Sequence, residues 1–500
     1  MTDGAARLLQ THLAKNDLDP IQRDVLQKAF DRLISRDPKR AWTSGQWMTE
    51  RPGGSDVSLT ETVATYAPYP HQTNASALAD VEEKVPFGPW SIDGFKFFSS
   101  ATDSSMTILL AKTGPGKGVS AFFAPMRRYN PDLVSVTGNA GGVELNGVHI
   151  QRLKDKFGTK SLPTAELELS GMRGWMIGEE GKGIHEISTI LNITRAHSTI
   201  AAMGYLGRGL AVARAYALVR EVGAGKGKRI PLCKSPLHMR TLANMTSEYH
   251  ALMLLTFFTI YVMGIDETVN DGRKTQTPST DALKTFTPPP EYVAPLLRVL
   301  SSLHKAYCCK QSVPLMYACM ESLGGVGYLN NSESEHLNLS RLFRDLCVLS
   351  IWEGTTDVLS TDTLRALKHP STGKQSLDAV DWFVSSTLGA NTLWGSQNSA
   401  ALDTWKTLKT RLETDSPASL AADARDITFR IAEVLIAALL SVDARSDGNE
   451  SAAEMGRRFM ERVGFSSNGK LSNPSNSLTT DSAIVYGNQG GSSSNANSKL

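Results

Sequence analysis

Glu353 follows an apolar stretch, Val348 to Trp352 broken by Ser350, and precedes Gly354, Thr355 and Thr356. A carboxylate set against Trp and Ile is poorly solvated, which raises its pKa and its basicity and suits it to general-base work. The same residue also reads as a helix-start acid, because Asp and Glu are common in first turns. A second segment, MTERPGGSDV from Met48 to Val57, offers the hydroxyls of Thr49 and Ser55. Its Gly53–Gly54 pair lets backbone approach a ligand closely. Such a loop is either a simple polar turn or a cradle whose N–H groups meet a flavin edge and a pyrophosphate. The third segment, FKFFSS from Phe95 to Ser100, reads as an aromatic strand ending in hydroxyls. It is either strand core with a polar exit or a surface whose rings pack on an isoalloxazine while Ser99 hydrogen-bonds its edge. Gly324, Gly325 and Gly327 end a helix and begin a loop within Glu321 to Glu333.

Other chemistries find no motif. His185–Glu186 lacks a second His four residues on, since residue 189 is Thr, and the ten histidines show no other ligand spacing, so no metal is expected. No G-x-S-x-G elbow is present. Gly207–Arg208–Gly209 lies inside a helical pattern and lacks the third glycine of a dinucleotide fingerprint.

Three kinds of region must position these residues. Residues 1–45 carry Leu8, Leu9, Leu13, Val25, Leu26, Phe30, Leu33 and Ile34 at helical spacings. Residues 46–172 hold short apolar runs, such as Thr107–Ala111, Val119–Ala124 and Ala165–Leu169, bounded by Gly, Pro, Asp and Asn, as β-strands are. Helices return over 180–370, where Leu296, Leu300, Leu303 and Tyr307 form one stripe and Val313, Met316, Met320 and Leu323 another. Gly264 to Pro295, with prolines at 288–290, reads as a long surface loop in this region. A further helical segment spans 375–464, and the Ser-, Asn- and Gly-rich 466–500 reads as a disordered tail. This order predicts an α+β fold.

Composition sets outer bounds. Five hundred residues exceed what one core usually supports, so two or three domains are expected. A net charge of +2 gives no reason to expect a polyanionic partner. The longest apolar run, Ala251 to Ile265, is too short for a membrane span and reads as a buried helix. Five cysteines without paired spacing suggest reduced thiols. The chain ends Ser498-Lys499-Leu500, a peroxisomal address that a receptor could reach on a disordered tail.

Taken in order, these segments resemble the acyl-CoA dehydrogenase family. The matches are Met48–Asp56 to its MTE-x-x-x-GSD loop, Phe97–Ser99 to its aromatic-hydroxyl strand, Glu321–Tyr328, Arg341–Asp345 and Trp352–Thr355. They cover about residues 1–370. Residues 152–171, 178–184 and the NITR at 192–195 resemble the AidB-like, alkylation-response branch. The resemblance implies a helical N-terminal domain, a middle β-domain, a C-terminal four-helix bundle and FAD between them. It implies an acyl-CoA thioester substrate: a base takes the α-proton while the β-hydride passes to flavin N5. It also assigns roles. Glu353 is the base. Met48, Thr49, Gly54, Ser55, Phe97, Phe98 and Ser99 contact the cofactor, as do Gly324, Gly325, Ile351, Trp352, Gly354, Thr355, Thr356 and Asp357. Arg220 reaches FAD phosphate from a neighbouring subunit, which implies a homodimer or homotetramer.

Three departures temper this. Only 47 residues precede Met48 where the family has well over a hundred, so residues 1–45 read as a remnant of the N-terminal domain and Met1 as an internal methionine. Arg220 is followed by Glu-Val-Gly and the basic loop Gly223–Arg229, which either holds a phosphate or is simply solvated. Asp357 stands where Asn or Gln is usual, and a charged carboxylate there would disfavour a reduced anionic flavin. The alternative function is a non-catalytic AidB-like flavoprotein with a protective, nucleic-acid or scaffold role. Residues 402–463 carry nine Lys or Arg against eleven Asp or Glu, which argues against nucleic acid there.

Overall fold

A computed structural model of the 500-residue chain describes residues 1–68, 85–86, 88–273, 278–334, 338–389, 393–446, 448–465 and 477–487. It divides into two compact units, Met1–Thr194 and Arg195–Leu500.

The first unit opens with α1 (Thr2–Leu13) and α2 (Pro20–Leu33). Asp19 caps α2 by accepting from the backbone N–H groups of Ile21 and Gln22, and Pro20 supplies a preset first residue. Among the described residues nine strands follow: β1 (Ser44–Trp47), β2 (Val63–Tyr66), β3 (Trp90–Ser100), β4 (Met106–Lys112), β5 (Val119–Pro125), β6 (Arg127–Val134), β7 (Ala140–Leu145), β8 (Val148–Leu153) and β9 (Thr164–Ile177). Pairing runs β4–β2–β3–β9–β5, and β5 pairs back onto β4, which closes the sheet. β1 adds to β4 and β8 to β9, while β6 and β7 form a separate hairpin. Strands β4 and β5 are buried almost end to end, which is why they read as continuous apolar runs rather than alternating ones. Residues of α1 and α2 pack with the strands. Leu8, Leu9, Val25 and Leu26 share one core with Ile108, Phe123 and Ile190.

Helix α3 (Gly183–Val219) begins in the first unit and ends in the second. The second unit continues with the hairpin β10 (Glu221–Gly223) and β11 (Arg229–Pro231). Then come α4 (Pro236–Asn270), α5 (Asp281–Phe286), α6 (Pro290–Glu321), α7 (Leu339–Cys347), α8 (Thr356–Leu367) and α9 (Gly373–Leu388). They are followed by α10 (Gly395–Thr414), α11 (Pro417–Leu420), α12 (Ala424–Ser446), α13 (Glu450–Arg462) and α14 (Ser477–Tyr486). A single apolar core holds residues of α3, α4, α6, α8, α9, α10, α12, α13 and α14. Both predicted stripes belong to α6 apart from Leu323, which lies just past its end, and the helix continues through Pro295 and Pro314. In α12, Ile431, Leu435 and Leu439 and the residues between them on other faces are buried, the pattern of a central helix. By length and composition α4 could cross a bilayer. Its Leu252, Leu255, Phe258 and Val262 are buried in the shared core, as in a core helix. Gly207 and Gly209 have a packing reason: a Cβ at Gly207 would meet the Tyr249 hydroxyl at 2.7 Å, and one at Gly209 the Met316 sulfur at 2.8 Å.

Two expectations are corrected. The long loop over 264–295 shrinks, because α4 runs to Asn270, α5 occupies 281–286 and α6 starts at Pro290. The tail is not disordered throughout: α14 buries Ile484 and Val485, and Asp481 pairs with Arg240 and Arg458. Those arginines lie far away in sequence, so composition alone could not reveal the helix. Residues 498–500 lie outside the described residues.

Candidate active site

In the first unit, two of the sequence-predicted segments are brought together. Thr49 and Phe98 form an antiparallel bridge, and the Phe97 N–H donates to the Thr49 carbonyl at 2.9 Å. The anchor of this contact is Glu50, which sequence reasoning passed over. Its carboxylate is buried and accepts from Lys96 Nζ at 2.5 Å, Thr62 Oγ1 at 2.6 Å and the Glu61 N–H at 2.6 Å. Lys96 Nζ also donates to the Leu110 carbonyl at 2.7 Å, which ties the loop through β3 to β4. Burial raises the Glu50 pKa, but the Lys96 charge and the hydrogen bonds outweigh it, and the carboxyl ends below its ordinary value. Burial lowers the Lys96 pKa, and Glu50 restores only part of it. The loop closes through Glu50 N–H to the Gly53 carbonyl at 3.1 Å, and a Cβ at Gly53 would sit 2.1 Å from the Asp56 carbonyl oxygen. Gly54 and Ser55 are exposed, whereas Met48 is buried in the core beneath.

Phe97, assigned to the cofactor by the resemblance, has cationic neighbours. Lys154 Nζ stands 3.3 Å from its ring centroid, and Arg51 also faces it, so its faces already have cationic partners. Phe98 is 46% exposed and edge-on to Phe97, and Lys154 Nζ also stands 4.6 Å from its ring centroid. Ser99 is buried and its Oγ lacks a partner among the described residues.

In the second unit, Glu353 lies ahead of the first turn of α8. The first acid of α8 is Asp357; Glu353 precedes the cap, Thr355, whose side chain accepts from the Val358 N–H. Glu353 has φ +56°, a left-handed conformation that costs a non-glycine residue about 1–3 kcal/mol. Gly354 follows at φ +103°, so the chain reverses tightly there. The turn is gripped by Lys305 of α6, whose buried Nζ donates to the carbonyls of Trp352 and Gly354, both at 2.6 Å. Burial pushes the Lys305 pKa down to about 8, with Cys309 and Glu353 opposing the shift. Nearby, Arg298 holds Asp362 through both carboxylate oxygens at 2.8 and 3.1 Å, and Ser302 donates to Asp362 at 2.5 Å. Arg195, of the NITR segment, donates to Ser302 and stands 3.7 Å from Asp362. Burial lowers its pKa, and Asp362 and Glu353 counter this electrostatically. Lys305, Asp362 and Arg298 were missed from the sequence, because helical Lys, Asp and Arg are usually solvated.

The remaining assigned residues divide. Ile351 and Thr355 are exposed, and Trp352 Nε1 is buried without a partner among the described residues. Gly324, at φ +64°, and Gly325 are exposed, with nothing within 4 Å of a built Cβ. Asp357 is not a lone carboxylate: Arg425 pairs with it at 2.6 Å and offsets the field expected of it. Arg220 is exposed where α3 passes into the β10–β11 hairpin, and its guanidinium has no hydrogen bond or ion pair among the described residues.

A family model described as acyl-CoA dehydrogenase, C-terminal domain, matches residues 181–368. Acyl-CoA dehydrogenase family member 11 of Caenorhabditis elegans is 33% identical over 473 residues, spanning 92% of this chain and 67% of the relative. The chain belongs to the acyl-CoA dehydrogenase family. A crystal structure of the Caenorhabditis elegans ACDH-11 in complex with C11-CoA superposes with a TM-score of 0.72 at 32% identity, covering 92% of this chain and 70% of that one. AidB of Escherichia coli (strain K12) is 29% identical over 344 residues, covering 69% of this chain and 52% of its own length. This chain therefore spans about two thirds of the nematode member of the family and about half of AidB. The acyl-CoA dehydrogenase fold accords with the α+β reading: the first unit carries a closed sheet and the second a helical bundle.

Proposed function

We propose that this protein is an FAD-dependent acyl-CoA α,β-dehydrogenase or oxidase in which Glu353 is the base. The observation that carries the reading is the Glu353 turn, a strained conformation held outside the helix by a buried lysine. Strain of this kind persists where surrounding structure enforces it, and it gathers at reacting groups. The residues also fit FAD: Ser99 Oγ and Trp352 Nε1 are buried polar atoms without a partner among the described residues, Phe98 is an exposed ring, and Gly54, Gly324 and Gly325 leave backbone accessible. By the resemblance, Thr49, Ser55 and Ser99 of the first unit would contact the cofactor. When bound, FAD accepts the hydride from the β-carbon. Glu353 takes the α-proton as the α-carbon–hydrogen bond breaks, and the double bond forms between the two carbons. Its backbone clamp keeps the carboxylate in one place, which matters because small misplacements of a base cost large factors in rate.

The test is flavin-loaded protein mixed anaerobically with a panel of acyl-CoA thioesters. The flavin absorbance should bleach with at least one of them, and Glu353→Gln should slow bleaching by about 10²–10⁴-fold. A flavin that no thioester bleaches, or a Glu353→Gln protein as fast as its parent, would overturn the reading. Subunit association is read from light scattering, where the proposal expects a dimer or tetramer with Arg220 serving a neighbour's FAD. Peroxisomal import is proposed from Ser498-Lys499-Leu500. Residues 466–500 fused behind a fluorescent protein should direct it to peroxisomes, and deletion of the last three should leave it diffuse.

A further inference from the structure

We propose that Lys305 is the positioning residue for Glu353: its ammonium fixes the direction in which the turn presents the carboxylate. The inference rests on reading Glu353 as the base. Lys305 lies on α6, 48 positions before Glu353 in sequence, and its side chain is buried. A buried ammonium is costly unless several acceptors surround it. Here two acceptors are the carbonyls of Trp352 and Gly354, the residues on either side of Glu353, each at 2.6 Å. One cation thus holds two carbonyl groups that bracket a left-handed residue, so the intervening peptide units have little freedom to rotate. No other residue in this turn needs that conformation for α8 to start, since Thr355 caps the helix by itself. The grip therefore acts on Glu353. Arg195 and Asp362 add charge nearby, but neither donates to the turn's carbonyls among the described hydrogen bonds.

Lys305→Met and Lys305→Gln are compared with the parent and with Glu353→Gln, all as flavin-loaded full-length chains. Two readouts are taken: anaerobic flavin bleaching by acyl-CoA, resolved into a binding constant and a rate constant, and amide hydrogen exchange of the peptide spanning 348–357. Lys305→Met should keep its flavin content and bind acyl-CoA within about threefold of the parent. Its bleaching rate constant should fall by about 100-fold. Exchange at 351–355 should quicken by about tenfold while the neighbouring helices keep their protection. Lys305→Gln, which retains an N–H donor, should fall between. If Lys305→Met does not fold, Lys305→Gln decides by the same two readouts. A bleaching rate within about threefold of the parent overturns the proposal, as does a loss fully explained by lost flavin. Glu353→Gln separates the two readings. If it keeps the parental rate, the base assignment falls and the positioning role with it. If it is inactive while Lys305→Met is as fast as the parent, only the positioning role falls.

Discussion

Glu353 sits at φ +56°, where glycine would rest without strain. A side chain kept in such a place, at a cost the fold must offset, separates stability from activity in a measurable way. Glu353→Gly should raise stability by about 1 kcal/mol, because it relieves the left-handed strain, while it abolishes flavin bleaching. Glu353→Gln keeps the strain and should leave the melting temperature unchanged. Differential scanning calorimetry on the three proteins checks both. The Glu50–Lys96 pair makes a second residue-scale prediction. Glu50 has a folded pKa below its ordinary value, so its stabilisation is complete above the ordinary carboxylate range and is lost as pH falls through the lowered value. Lys96→Met removes the compensating charge and should cost about 3–5 kcal/mol near neutral pH. In that variant only the Thr62 and Glu61 hydrogen bonds oppose burial, the largest influence on Glu50, so its pKa should rise and lowering the pH should partly restore stability where the parent loses it. Melting curves between pH 4 and 7 would show the opposite slopes.

At the scale of elements, α14 shows how a short helix can be held by charge as well as by apolar area. Its mean composition is unremarkable to any hydropathy reading, yet Asp481 is fully buried between Arg240 of α4 and Arg458 of α13, at 2.9 and 2.7 Å. The Tyr486 hydroxyl adds a donation to the Arg214 carbonyl at 3.1 Å. Asp481→Asn leaves two guanidinium groups facing a neutral amide and should cost about 3–5 kcal/mol locally. The expected consequence is release of α14 rather than loss of the bundle, since α14 adds Ile484 and Val485 to a core whose other members come mostly from α3, α4, α6, α8, α9 and α12. Limited proteolysis should cut the variant near 477–487 while the parent resists, and far-ultraviolet dichroism should change little.

At the scale of the whole molecule, what the sequence disclosed was periodic or contiguous. The stripe of Leu296, Leu300, Leu303 and Tyr307, and the runs in β4 and β5, recur at fixed steps and are all buried. The MTERPGGSDV loop and the Glu353 turn were visible as contiguous motifs. What stayed hidden was tertiary: Lys96 reaching Glu50, Lys305 reaching two carbonyls, Arg240 reaching Asp481. In each a charged residue that ordinarily faces water is drawn inside by a partner more than forty positions away, and no local pattern marks it. The buried residues also fall into separate sets. Ile108 and Phe123 belong to a core of the first unit, whereas Leu300 and Leu435 belong to that of the second. Each set is large enough to support a cooperative transition of its own, as multidomain chains commonly do. Calorimetry of the cofactor-free chain should therefore show two transitions. Phe123→Ala should lower one and Leu435→Ala the other, each by an amount equivalent to about 2–5 kcal/mol, because both side chains are fully buried and leave cavities. If either substitution moved a single shared transition instead, the two cores would have to be energetically coupled, and α3, whose residues belong to both units, would be the element through which to seek that coupling.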